Sequence, residues 1–287
     1  MSVEKPRKSV LITGCSPGGI GHALAREFHA KGLHVIATAR TKEAIQDLEA
    51  MGMSTLGLEV TSKESIVEAR MQVEKLTGGK LDILVNNAGR NCTLPALEVD
   101  LDDARACFET NLFAVIALTQ SFIPLLIASK GLILNIGSVA AIVPYVFGSV
   151  YNASKAALHS YSQTLRLELE PFDVRVLVVI TGGVQSRIAR TERVLSEDSL
   201  YLDISGDFER RVKHSQDGAM ATDGYARGVV REALKPAWRQ KKWVWRGNKS
   251  FLVWFVDTWL GRWAFDWVLP GMFGLRRLKG IVRGRKS

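Results

Sequence analysis

Cysteine is scarce in this chain: Cys15, Cys92 and Cys107 are all that occur in 287 residues. Three thiols cannot build a disulfide scaffold, and their spacing matches no metal-ligand pattern. The five histidines (His22, His29, His34, His159 and His214) are scattered, without an HExxH pair, so no metal is expected. Before the first β-rich run, at about residue 9, there is no apolar stretch followed by a small-residue cleavage site, so a secretory signal is not expected. Sequons occur at Asn91, Asn152 and Asn248, and Asn152 falls inside the candidate site described below, where a glycan would not fit. With the sparse cysteines, this points to a reducing, cytosol-facing location. No fixed-period repeat or low-complexity tract is present, and the apolar content excludes a disordered or collagen-like chain.

What the chain does have is apolar residues, 47% of the total, enough to bury the core of one large domain. β-rich runs at 9–13, 34–38, 55–60, 83–85, 132–137 and 174–180 alternate with helical spacing at 20–31, 42–51, 62–76, 101–128 (one helix or two) and 150–170. Short buried strands separated by helices predict an α/β fold, a doubly wound parallel sheet with helices on both faces. Residues 1–247 read as that domain, with a last strand at 242–245, and 248–287 as a C-terminal extension.

The net charge of +9 is unevenly spread. Residues 235–287 hold 13 Lys/Arg, two acids (Asp257 and Asp266) and all seven Trp; the other 234 residues carry 25 basic and 27 acidic groups. A near-neutral body with a basic tail, lacking any nucleic-acid-binding motif, leaves no nucleic acid expected as a partner.

The first β-rich run leads into Thr13-Gly14-Cys15-Ser16-Pro17-Gly18-Gly19-Ile20-Gly21 and then a helix. Glycine-rich turns are often only structural. One lying between a strand and a helix can bring backbone N–H groups and the helix N-terminus to a pyrophosphate. About twenty residues on, where an acid would take the ribose hydroxyls of NAD, there is none. Arg40 stands there instead. A guanidinium suits a 2′-phosphate, which favours NADP(H) over NAD(H), a solvated surface arginine being the plain alternative.

Four further elements follow in order: Asn86-Asn87-Ala88-Gly89; Asn111; Ser138; and Tyr151-Asn-Ala-Ser-Lys155, with Ser138 thirteen residues before Tyr151. Together with the loop they resemble the short-chain dehydrogenase/reductase family over about residues 8–186. The resemblance implies a Rossmann-type domain and an NADP(H)-dependent carbonyl reductase interconverting a ketone and a secondary alcohol. It also implies a homodimer or homotetramer formed through the long helices. The cofactor site it implies comprises Ile12, Gly14, Ser16, Gly19, Ile20, Gly21, Arg40, Glu59 (usually Asp in the family), Asn87, Ala88, Tyr151, Lys155, Val184 and Ser186. In Thr181-Gly182-Gly183-Val184-Gln185-Ser186, Thr181 and Ser186 depart from the family's Pro and Thr.

Tyr151 and Lys155 are four residues apart on a helix and share a face. A phenol near pKa 10 is a poor base at neutral pH, and a neighbouring ammonium is expected to lower that value. By resemblance, Tyr151 transfers the proton at the substrate oxygen, Ser138 holds that oxygen, Lys155 binds the nicotinamide ribose, and Asn111 orders a relaying water. Retention of this set argues against the alternative, a non-redox binding or scaffold protein that keeps the nucleotide fold.

Residues 251–269 place Leu252, Val253, Val256, Trp259, Leu260, Trp263, Ala264 and Trp267 on one helical arc, with Asp257, Arg262 and Asp266 outside it. Each such charge costs roughly 2.5–3.5 kcal/mol at a bilayer centre, which argues against a spanning helix. Basic flanks (Lys241, Lys242, Arg246, Lys249; Arg276, Arg277, Lys279, Arg283, Arg285, Lys286) suit a helix lying on anionic lipid, at an endoplasmic reticulum or lipid-droplet surface. A lid over the substrate or a subunit interface are the competing readings. Within the family, loop and tail look most like fungal NADPH-dependent acyl-dihydroxyacetone-phosphate reductases, whose relatives serve in secondary metabolism. Either implies a bulky, hydrophobic ketone, and Arg187 and Arg190 are candidates for holding a phosphate.

Overall fold

The computed structural model describes residues 7–189 and 193–285. The β-rich runs become β1 (Ser9–Ile12), β2 (His34–Ala39), β3 (Ser54–Gly57), β4 (Ile83–Asn86), β5 (Leu132–Ile136), β6 (Arg175–Thr181) and β7 (Trp243–Arg246). Among the described residues they form one sheet in the order β3-β2-β1-β4-β5-β6-β7, each neighbouring pair parallel. Alternate residues feed opposite layers. Val10 and Ile12 join Leu24 and Phe28 of α1 (Ile20–Ala30), whereas Leu11 joins the helices on the other face. Burial on both faces is why these strands read as continuous apolar runs.

After the short α2 (Gln46–Ala50), α3 (Lys63–Thr77) packs on the Leu11 face through Ile66, Ala69 and Val73. The 101–128 segment is one helical path in three parts, α4 (Leu101–Phe108), a π-helical stretch Glu109–Phe113, and α5 (Ala114–Ser129). The π stretch carries Asn111 to full burial, where Nδ2 donates to Arg90 O at 2.9 Å and Oδ1 accepts from Arg90 N at 2.8 Å. This path is long and apolar enough to cross a membrane, at mean hydropathy 2.0. Leu118, Phe122 and Leu126 nevertheless lie in the core under the sheet. Beyond it come α6 (Ser149–Glu168), α7 (Ser205–Lys213) and α8 (Thr222–Ala233).

The tail differs from the single helix expected over 251–269. α9 (Ser250–Phe255) runs into a π turn, Val256–Leu260, and stops at Gly261, whose φ of +82° and ψ of 160° are glycine territory. α10 (Trp263–Met272) then restarts out of phase, and α11 (Leu275–Gly284) follows Gly274. The rephased helix turns Phe265, Leu269 and Phe273 inward, where with Val253 they pack on Val139, Val143 and Ile180. The expected arc is thereby split: Val253 is buried, while Leu252, Trp259, Leu260, Trp263 and Trp267 are exposed.

Candidate active site

The strand order reverses beside β1, between β1 and β4, and the cleft lies at the carboxyl ends of these strands. Gly14 turns with φ +71°, and a Cβ there would stand 3.0 Å from Ala88 Cα. The two loops are sewn together. Thr13 Oγ1 accepts from Asn87 N and Ala88 N, both at 3.0 Å, and Asn87 Nδ2 donates to Thr13 O at 2.8 Å and Gly14 O at 3.0 Å. A Cβ on Gly21 would crowd Gly14 O and lie 2.5 Å from that same Asn87 Nδ2. α1 begins at Gly19 with no side-chain cap, so its first N–H groups are available to an anion.

The resulting cleft has a volume of about 1040 Å³ and runs from Arg40 and Glu59 to Ser138, Tyr151 and Lys155. Gly14, Ser16, Gly19, Ile20, Asn87, Ala88, Val184 and Ser186 line it as well. Three sequence-derived residues do not. Ile12 is sealed in the core, Gly21 is buried as packing between helix and loop, and Asn111 sits behind the wall with its amide committed to Arg90 and Ser154. Glu59 spends Oε1 on Thr61, accepting from N at 3.1 Å and Oγ1 at 2.9 Å. Among the described residues the exposed Arg40 guanidinium has no partner. Cys15 and Cys92 are buried outside the cleft lining, and burial pushes both thiols up to about 12. Arg187 lines the cleft; Arg190 and Lys286 lie outside the described residues.

Ser138 leaves β5 with its N–H held by His159 Nε2 at 3.3 Å, and its Oγ accepts from Ala140 N at 3.1 Å. Burial lowers His159 to about 4, which keeps the imidazole neutral and able to accept. Lys155 Nζ donates to Ile136 O at 3.0 Å, and burial brings its pKa down to about 8. The Tyr151 phenol departs from the expectation of an acidified group. Burial pushes it up to about 12, against a smaller lowering by its hydrogen bond with Ser138. At neutral pH this phenol carries its proton.

Thr181, in place of proline, bonds Tyr225 Oη through Oγ1 at 2.7 Å. Beyond it Gly183 exchanges backbone bonds with Asn248 at 3.0 and 2.8 Å, and its carbonyl accepts from Met220 N at 3.0 Å. The 181–186 backbone is thus pinned from both sides, so the two substitutions leave it ordered. Missed in the sequence were Thr13 and His159. Their roles depend on contacts between distant segments, and no local spacing marks them.

The family model for short chain dehydrogenase matches residues 8–195. The chain belongs to the short chain dehydrogenase family. The short-chain dehydrogenase srdE of Neurospora crassa is 41% identical over 274 residues, 95% of this chain and 94% of that one. An NADPH-dependent 1-acyldihydroxyacetone phosphate reductase of Schizosaccharomyces pombe is 46% identical over 200 residues, 68% of each chain. A short-chain dehydrogenase structure from Streptomyces avermitilis superposes with a TM-score of 0.77 at 28% identity, covering 98% of this chain and 99% of that one. This short-chain dehydrogenase is therefore an oxidoreductase with a seven-stranded parallel sheet. The match to full-length relatives extends through its aromatic tail.

Proposed function

We propose that this dehydrogenase uses NADPH to reduce a bulky, largely apolar ketone to the secondary alcohol, with Tyr151 as the proton donor. The observation that carries the reading is one continuous cleft with Arg40, unpaired among the described residues, at one end and Ser138, Tyr151 and Lys155 at the other. Arg40 would hold a 2′-phosphate, the Gly14–Ile20 turn and the N-terminus of α1 the pyrophosphate, and Lys155 the ribose. Held there, the cofactor would supply the hydride for the carbonyl carbon. Ser138 orients the carbonyl oxygen, and the protonated phenol of Tyr151 delivers its proton there as negative charge develops. Lys155, close to its own pKa of about 8, is suited to replenish that proton, with Asn111 proposed to order the relay behind it. The S. pombe relative's name supports NADPH and an acylated ketone. Val139, Tyr145, Ile188 and Val212 give this part of the cleft an apolar wall.

NADPH oxidation tests this with acyl-dihydroxyacetone phosphate, its dephosphorylated analogue and polycyclic or polyketide ketones. Turnover of the phosphate ester selects a lipid precursor, turnover of the polycyclic ketones alone selects a natural-product intermediate, and none with any of them refutes the reading. In the same assay Arg40→Asp raises KM for NADPH about 10- to 100-fold, the worth of one charge-assisted contact. The ratio of kcat/KM for NADPH to that for NADH falls accordingly; an unchanged ratio would return Arg40 to the status of a surface residue.

The reading extends to the tail, which we place on the cytosol-facing surface of an anionic membrane. Phe251, Leu252, Phe255, Trp259, Leu260, Trp263 and Trp267 stand exposed, with Lys249, Arg262 and Arg276 close by in sequence. Aromatic side chains among cations suit the headgroup region. Liposomes containing phosphatidylserine are expected to float the whole chain, and Trp259→Ser/Trp263→Ser/Trp267→Ser to leave most of it at the bottom of the gradient. Equal flotation of both would sink the membrane proposal. Assembly into two or four copies through α5 and α6, where Ile127 and Leu167 are exposed, belongs to the same reading.

A further inference from the structure

α7 turns a guanidinium into the cleft, and no acid among the described residues pairs with it. Arg211 is only 8% exposed, yet it lines the cleft alongside Tyr151. Its Nε donates to Val146 O at 2.8 Å, and its guanidinium carbon lies 5.2 Å from the Tyr145 ring centroid and 5.7 Å from that of Phe273. A guanidinium has five N–H donors. Among the described residues only the Nε–H has an acceptor, which leaves the four on the two Nη atoms.

The nearby carboxylates are engaged elsewhere. Asp207, one turn back on α7, is held by Arg210 and Arg277. Asp217 lies 3.6 Å from His214, and Asp103 is shared by Arg90 and Arg193. Lys249 lines the same cleft and adds a second cation there, while Asp217 beside His214 is the acid on that side. A Cβ on Gly148 would come within 3.0 Å of Arg211 Nη2, so the glycine preserves the space that the fork occupies. A buried charge without a counter-ion is costly, and burial does act against the protonated form of Arg211. A ligand that brings its own anion removes that cost, and a planar fork matches carboxylate and phosphate oxygens.

We propose that Arg211 is an anion subsite for the substrate, taking a phosphate monoester or a carboxylate carried by the ketone and so holding the carbonyl at Tyr151. This rests on the ketone-reductase reading and sharpens its substrate class: an apolar body with one acidic head. The packing on Tyr145 and Phe273 fixes the plane of the guanidinium, so the subsite is formed before the ligand arrives.

The test uses the full chain and matched ketones with and without charge: an acyl-dihydroxyacetone phosphate against its dephosphorylated form, and a long-chain keto acid against its methyl ester. The wild type is expected to favour one charged member over its neutral partner by about 10- to 100-fold in kcat/KM, the worth of a charge-assisted contact. Which pair shows the preference tells phosphate from carboxylate. In Arg211→Gln the charged-to-neutral ratio falls toward one, mainly through KM, whereas Arg211→Lys, which keeps the charge and loses the fork, is intermediate. NADPH affinity, followed by nucleotide fluorescence, does not move. No preference in the wild type, or an equal loss on both members of a pair in both variants, overturns the proposal and makes Arg211 a packing residue. A second readout is independent of turnover. With NADP+ filling the nucleotide end, inorganic phosphate raises the thermal midpoint of the wild type and not of Arg211→Gln; no difference between them also overturns it. If none of the four ketones is reduced while this phosphate effect is present, the reductase reading fails and the anion subsite stands.

Discussion

Tyr151→Phe abolishes measurable ketone reduction, lowering kcat by at least about 10²- to 10⁴-fold, while NADPH still binds. The substitution removes one oxygen and keeps the ring, so the packing of this half-buried side chain is preserved and the loss is one of proton transfer. That range is typical of a positioned general acid. The pKa directions set the pH profile. The phenol, pushed up to about 12, remains the proton-bearing donor throughout the physiological range. Lys155 is lowered from 10.5 to about 8, so the protonated amine is present below that value and is lost as pH rises through it. Reduction should therefore hold steady through neutral pH and decline above about 8, and Lys155→Met should remove that alkaline limb along with most of the rate. Steady-state NADPH oxidation between pH 6 and 10, paired with fluorescence titration of NADPH, reads both. Substantial turnover in Tyr151→Phe would leave the cleft as a nucleotide site whose chemistry lies elsewhere.

Gly21→Ala is expected to weaken NADPH binding about 10- to 100-fold, although Gly21 itself does not line the cleft. The added methyl would crowd Gly14 O and lie 2.5 Å from Asn87 Nδ2. Asn87 cannot simply move aside, because that nitrogen ties Thr13 O and Gly14 O together. Relief requires the N-terminus of α1 to back away from the turn, and overpacking of this kind costs about 1–3 kcal/mol. The displaced atoms are those proposed to receive the pyrophosphate, so the cost falls on affinity as well as on stability. Gly280→Ala in α11 is the control: nothing lies within 4 Å of the new methyl, and its backbone is helical. It should leave NADPH binding alone and, if anything, raise the thermal midpoint slightly. Unchanged NADPH affinity in Gly21→Ala would show that the loop does not depend on that close approach.

The sheet was legible because β1, β2, β4, β5 and β6 are buried on both faces, so their apolar runs stand out from the amphipathic helices on either side. The β1 loop, the Asn87 turn, Ser138 and the Tyr151–Lys155 pair were legible for a different reason. Each occupies a strand end or a helix face whose local sequence specifies where its side chain points. Ile12 and Gly21 came with the cofactor site that the family resemblance implies; the fold places Ile12 in the core and Gly21 between helix and loop, neither lining the cleft. The helical arc over 251–269 failed at Gly261, where a left-handed residue resets the phase. Leu252, Trp259, Trp263 and Trp267, grouped on one arc by a continuous 100° step, stand outside, while Phe265, Leu269 and Phe273, which that step left off the arc, turn in.

Periodicity and local motifs alone determined the parallel α/β architecture, the place of the nucleotide loop, the absence of an acid where Arg40 stands, and the tyrosine and lysine on one helix face. These are short-range properties, decided by repeat and by covalent neighbourhood. Tertiary structure alone decided the protonation of Tyr151, the neutrality of His159 and the isolation of Arg211. Desolvation and the lack of a counter-ion depend on which distant segments close around a group: the segment 139–148, α7 and the end of α10 come together only in the folded chain.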